Sequence, residues 1–187
     1  MSSTNTASGE LRQSLTEYCN HDRNIPDINS IRNQLTEVSE DLRYELLSSI
    51  TDSDGDTALT LAALRGHTEL CVTLLSSLPP ADRLKLILVD KYTALHWAAY
   101  WGYTETISGI LSCLTADQQL EVLFAQNSYG DTALHCAALG AKTETVKTLL
   151  DNLTPEQQPK LLFVLNIAGK TALHYAAHEG RTETVKT

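Results

Sequence analysis

The stretch TALHCAALGAKTETVKTLL, residues 132–150, decides the fold, because the chain writes its opening four times. The other copies read TALTLAALRGHTEL from Thr57, TALHWAAYWGYTET from Thr93 and TALHYAAHEGRTET from Thr171. The steps between the threonines are 36, 39 and 39 residues. Self-similarity at a fixed period marks a stack of like units, each too thin to bury its own apolar face alone. Within one copy, Thr132 opens a helix, and the small pair Ala137-Ala138 lets a neighbouring helix approach closely. Gly66, Gly102 and Gly180 fall where a helix needs a left-handed stop, a conformation glycine takes without strain. A second helix comes next: in TETVKTLLDNL, residues 143–153, Val146, Leu149, Leu150 and Leu153 recur at helical spacing and line one face.

These motifs resemble the ankyrin repeat, whose signature is T-P-L-H-x-A-A, a glycine and a second apolar helix. The resemblance covers residues 57–187 and implies an all-α, ankyrin-type helical repeat solenoid with short hairpin loops. Alanine replaces the family's proline throughout (Ala58, Ala94, Ala133, Ala172), which a first helical turn tolerates. In the third copy the glycine, Gly140, stands one place early. Ala141 is then expected to take the left-handed turn at a local cost of about 1 kcal/mol.

The family's period is about 33 residues, so these units carry a surplus, which follows the second helix. LTADQQLEVLF (114–124) and LTPEQQPKLLF (153–163) contain the capping-box pairs Thr115/Gln118 and Thr154/Gln157, with Pro155 at the first helical position. An extra short helix per repeat is predicted, on the outer side of the array. Before Thr93 the chain reads VDKY, three residues shorter than AQNSYGD before Thr132 or VLNIAGK before Thr171. The projecting hairpin implied by the resemblance is therefore cut short, and a notch is expected at Asp90–Tyr92.

Residues 1–8 are polar and expected to be disordered. Residues 9–56 fit the scheme in degraded form: Leu11, Leu15 and Tyr18 share a helical face, IRNQLTEV (31–38) aligns with VKTLLDNL (146–153), and SEDLRYELLSSI (39–50) aligns with the extra helix. They are read as an N-terminal capping repeat, followed by repeats at 57–92, 93–131, 132–170 and a truncated 171–187. TETVKT occurs at 143–148 and again at 182–187, but the second copy lacks the apolar LLDNL. The natural protein is expected to continue past Thr187.

A formal net charge of −9 disfavours binding to nucleic acid or an anionic membrane. The polar N-terminus resembles no signal peptide, and the longest apolar run, LILV (86–89), is too short to span a bilayer. Cys19, Cys71, Cys113 and Cys136 form no paired motif and are read as reduced thiols of a cytoplasmic protein, or of one delivered to a host cytoplasm. No nucleophile, phosphate-loop or metalloprotease motif is present, so no enzymatic activity and no cofactor are expected. DSDGD (52–56) has the flavour of a calcium loop but lacks the closing glutamate. His96, His135 and His174 recur once per unit and so cannot converge on one ion; the resemblance implies that they tie neighbouring units together by hydrogen bonds.

What remains is a surface. The resemblance implies a monomeric, non-catalytic module that binds another protein on the concave face made by hairpin tips and first helices. Two alternatives stay open: a purely architectural spacer, and the N-terminal recognition region of a larger enzyme or secreted bacterial effector. Carried onto this chain, the partner-binding positions are Leu64, Arg65, Tyr100, Trp101, Leu139, His178 and Glu179 at the ends of first helices. In the hairpins they are Asp54, Asp56, Tyr92, Tyr129, Asp131, Ile167 and Lys170. HWAAYWGY (96–103) holds both tryptophans; packing explains Trp97 as well as binding does, whereas Tyr100 and Trp101, with Tyr92 and Tyr129 as neighbours, mark the expected centre. The acidic tips Asp54, Asp56 and Asp131 suggest a partner with a basic rim.

Overall fold

The computed structural model describes residues 2–20 and 27–178, which form thirteen helices with no strand among them. They stack in columns. The first column is α1 (Ser2–Asn20), α4 (Ala58–Leu64), α7 (Ala94–Trp101), α10 (Ala133–Leu139) and α13 (Ala172–His178), each packed on the next. A second runs beside it through α2 (Ile28–Glu37), α5 (Thr68–Ser76), α8 (Thr104–Ser112) and α11 (Thr143–Asp151). The extra helices form a third series, in which α3 (Glu40–Ser49) packs on α6 (Pro80–Leu88) and α6 on α9 (Ala116–Phe124), with α12 (Gln158–Leu162) following in the chain. The N-terminal segment thus supplies one member to every column.

The core is a continuous apolar seam, and the pairs Ala62-Ala63, Ala98-Ala99 and Ala137-Ala138 are all buried along the first column. Side-chain size at a helix contact sets the distance between axes, and alanine brings these helices close. In the second column a Cβ on Gly109 would press on Val72 and Thr68, while the Thr68 and Thr106 hydroxyls meet at 2.7 Å across the same interface.

Arginines pin the third helices. Arg43 of α3 donates to its own unit's Val38 carbonyl and to Ser77 O of the next unit; Arg83 of α6 repeats the pattern with Leu78 O and Cys113 O. Each guanidinium fills the unpaired carbonyl end of a second helix, where cations are favoured. In α9 and α12 the same position holds Gln119 and Gln158, which reach carbonyls within their own unit.

Two expectations are corrected. Residues 1–8 were expected to be disordered, yet from Ser2 they belong to α1, because Ala7 extends the buried face of Leu11, Leu15 and Tyr18 by one turn. Thr115 and Gln118 form the full capping box, but the fourth extra helix does not begin at Pro155. Pro159 has no N–H to donate back to residue 155, so 155–157 form a turn and the helix starts at Gln158. Glu179, Gly180 and the second copy of TETVKT lie outside the described residues.

The turns between first and second helices show why glycine recurs there. Gly66 and Gly102 are left-handed (φ 73° and 85°), and the side chain that precedes the following unit's second helix lies over each, Tyr103 on Gly66 and Lys142 on Gly102. In the third unit Ala141 takes the left-handed turn, φ 56°, as expected. Gly140 has an ordinary φ of −74° but cannot bear a side chain, since a Cβ would overlap the Tyr100 carbonyl of the preceding unit. Ala141→Gly should therefore raise unfolding free energy by about 0.5–1 kcal/mol. Gly140→Ala should lower it by about 1–3 kcal/mol, and Ala141→Gly should not rescue it. Urea denaturation of the two single variants and the double variant reads this out.

Candidate partner-binding face

Three hairpin fingers are built by one residue type that the sequence reading overlooked. Asp52, Asn127 and Asn166 each stand five positions before the unit's first threonine. Each Oδ1 accepts two backbone N–H groups across the tip: Asp54 and Asp56, Tyr129 and Asp131, Ala168 and Lys170 respectively. Asx side chains mimic a backbone turn in this way. The Asp52 carboxylate of the calcium-like stretch is thus committed to its own loop. Neighbouring full-length fingers are joined backbone to backbone, Ile167 N–H donating to Tyr129 O at 3.1 Å.

Behind the fingers runs a chain of histidines. The Thr93 hydroxyl lies 2.8 Å from His96 Nδ1, and His96 Nε2 lies 2.8 Å from the Asp131 carbonyl of the next unit. A carbonyl can only accept, so the proton is on Nε2 and the threonine donates to Nδ1. His135 repeats the bridge from Thr132 to the Lys170 carbonyl. Burial holds His96 down to about 4 and also lowers His135, so both rings are neutral near pH 7. The first unit has Thr60 in the histidine's place. There Asp90, from the shortened finger, reaches back to accept from Thr57 N and Thr57 Oγ1.

The aromatic cluster forms one connected set. Tyr92 packs at a tilt against Trp97 with centroids 4.3 Å apart, Tyr100 meets Trp97 edge-on at 6.5 Å, and Trp101 meets Tyr100 edge-on at 5.4 Å. Trp101 ends the set in solvent, 48% exposed. Tyr129 is exposed at a finger tip, but its ring is not among the ring contacts of the described residues. Tyr103, over Gly66, packs between units instead.

Several expected site residues serve the scaffold. Arg65 lies over the Tyr18 ring at 4.8 Å and donates to the Tyr18 carbonyl, so it clamps α1 rather than presenting a charge. Asp131 is 8% exposed and accepts from Asn166 Nδ2; it is no rim carboxylate, because the joined fingers enclose it. Tyr92 is half-buried, its hydroxyl 3.1 Å from the Cys136 thiol, which burial pushes up to about 12. Asp56 is half-buried, while Asp54 is exposed. Burial, then the carboxylates of Asp90, Asp52 and Asp54, raise Asp56 to about 6. Leu64 is half-buried against the core. Leu139, Ile167, Lys170 and His178 are exposed, with the Lys170 ammonium over the Tyr175 ring. Exposed Trp101, Tyr129, Leu139 and Ile167 make the C-terminal half of this face apolar; its N-terminal half is acidic.

A family model described as ankyrin repeats (3 copies) matches residues 33–122 and 118–187. A rice protein (Oryza sativa subsp. japonica) named a probable E3 ubiquitin-protein ligase, XBOS31, is similar at 36% identity over 85 residues. That alignment takes in 41% of this chain and 19% of the rice protein, so the chain spans well under two thirds of that relative. Among the described residues no helix is long and apolar enough to cross a membrane.

The histidine bridges set a pH dependence. His96 falls from about 6.5 unfolded to about 4 folded, so the unfolded chain binds the extra proton. Its contribution is complete above pH 6.5 and is lost as pH falls toward 4. Asp56, raised in the fold, works in the opposite direction below pH 6 and offsets part of this. Replacing His96 by Gln should flatten the dependence, removing about 2 kcal/mol of the difference between pH 7.5 and pH 5. Urea titrations at the two pH values compare the slopes; equal slopes would contradict the bridge.

Proposed function

We propose, for a chain that belongs to the ankyrin-repeat family, that this protein–protein interaction module is non-catalytic and grips a partner protein around Trp101. The observation that carries the reading is the exposed Trp101 held edge-on by Tyr100, itself fixed through Trp97 and Tyr92. An aromatic anchor already ordered before binding loses little freedom on association, and tryptophan and tyrosine dominate binding hot spots. Tyr129, Leu139 and Ile167 extend the apolar ground, and Asp54 offers a carboxylate to a partner's basic rim. The four buried free cysteines suit action in a reducing, cytoplasmic setting.

The likeness to the rice protein favours a second reading, in which these repeats are the recognition part of a larger enzyme that modifies what they hold. Sequencing the natural transcript decides this, since the reading requires a catalytic domain in the same open reading frame. For the first reading, partners captured from a lysate by the wild-type chain are identified by mass spectrometry and titrated against Trp101→Ala by calorimetry. The variant should bind at least about 30-fold more weakly, a loss of about 2 kcal/mol, with an unchanged circular dichroism spectrum. Undiminished affinity would remove Trp101 from the site.

A further inference from the structure

The shortened finger leaves a gap with unmatched backbone on both sides. Where two full fingers adjoin, Ile167 N–H donates to Tyr129 O, and a Cβ on Gly130 would strike the Ile167 backbone. In register, Asp54 O corresponds to Tyr129 O, and Ser128 N–H corresponds to Ile167 N–H. Neither has a backbone partner among the described residues. Gly55, the counterpart of Gly130, has nothing within 4 Å of its would-be Cβ. The space a neighbouring finger fills elsewhere is open here. On the side of the next finger it continues into a groove of about 460 Å³ lined by Leu88, Val89, Lys91, Ala125, Gln126 and Ser128, with Val89 45% exposed.

We propose that this gap accepts a projecting loop of extended backbone from the partner protein, carrying a basic side chain and standing in for the missing finger. A loop N–H donates to Asp54 O, and Ser128 N–H donates to a loop carbonyl, the register used between Tyr129 and Ile167. Backbone pairing of this kind supplies affinity, and side chains on the inserted segment supply specificity. The basic requirement comes from the walls. Asp90, Asp52 and Asp54 stand close enough to Asp56 to add their repulsion to the effect of its burial, and an incoming cation relieves that repulsion. The inference rests on the reading of this face as the protein-binding one, and it adds the backbone shape and charge of what enters.

The test uses phage-displayed, disulfide-closed random heptapeptides as the probe, selected on the whole chain. Three variants follow: Val89→Arg, Trp101→Ala, and a chain in which residues 89–91 are exchanged for the six residues 125–130, restoring a full finger while keeping Tyr92. The expected result is a set of loops enriched in Lys or Arg. They should bind the restored-finger chain and Val89→Arg at least tenfold more weakly, and should shift the Ser128 amide resonance. Failure to enrich any loop, or loops that bind all variants equally, would overturn the inference. Loops that lose affinity on Trp101→Ala but not on the two gap variants would overturn it too, while leaving the concave-face reading intact. Val89 is exposed, so its variant remains informative if the finger exchange does not fold.

Discussion

The stack depends on a neutral imidazole bridging two units. His96 and His135 each take a hydroxyl proton on Nδ1 from the threonine that starts their own helix and give the Nε2 proton to a carbonyl at the base of the next finger. The bond is short, buried and directional, so it fixes the register of one unit on the next as apolar contact cannot. It also explains why the finger follows its geometry so closely: the accepting carbonyl belongs to the residue before the next threonine. The helix start, the histidine and the adjoining finger are one hydrogen-bonded object. The aromatic set stands on it, because Tyr92 touches both His96 and Trp97.

Much of this was legible from repetition. The recurring threonines gave the columns, the apolar spacing of 143–153 gave the second helices, and the surplus after them gave the third. Ala141 carries the left-handed turn that the early glycine implies. The need for glycine at 140 is not legible locally, since it comes from the Tyr100 carbonyl of another unit and no local pattern reports that. Pro155 misled for a similar reason: it is a sound opening for a helix, and Pro159 four residues later cancels it. The site was read less completely. Exposure of Trp101, Tyr129 and Ile167 follows from position alone, but no local pattern shows that the Arg65 and Asp131 charges are each spent on a neighbour. The fingers' Asx residues stand in the sequence as Asp or Asn five places before Thr57, Thr132 and Thr171, a signal hidden because the shortened unit before Thr93 breaks it.

The two irregularities of the early array, Thr60 in place of histidine and a finger cut by three residues, belong together. A threonine is too short to bridge to the next unit, and the Thr60 hydroxyl is buried without a partner among the described residues. A full finger there would have no imidazole to hold it. With the finger cut, Asp90 comes near enough to accept both Thr57 N–H and Thr57 Oγ1–H, so the link between units is made from the opposite direction. The exchange keeps these units in register while removing a projecting hairpin, and it places a carboxylate beside three others. A charge cluster and a gap in one place are what a scaffold would avoid if stability alone shaped it, since burying Asp56 among carboxylates is unfavourable. The gap and its carboxylates lie at the N-terminal end of α7, and the exposed Trp101 closes the same helix at its other end, so one short helix carries both irregular charge and exposed aromatic surface.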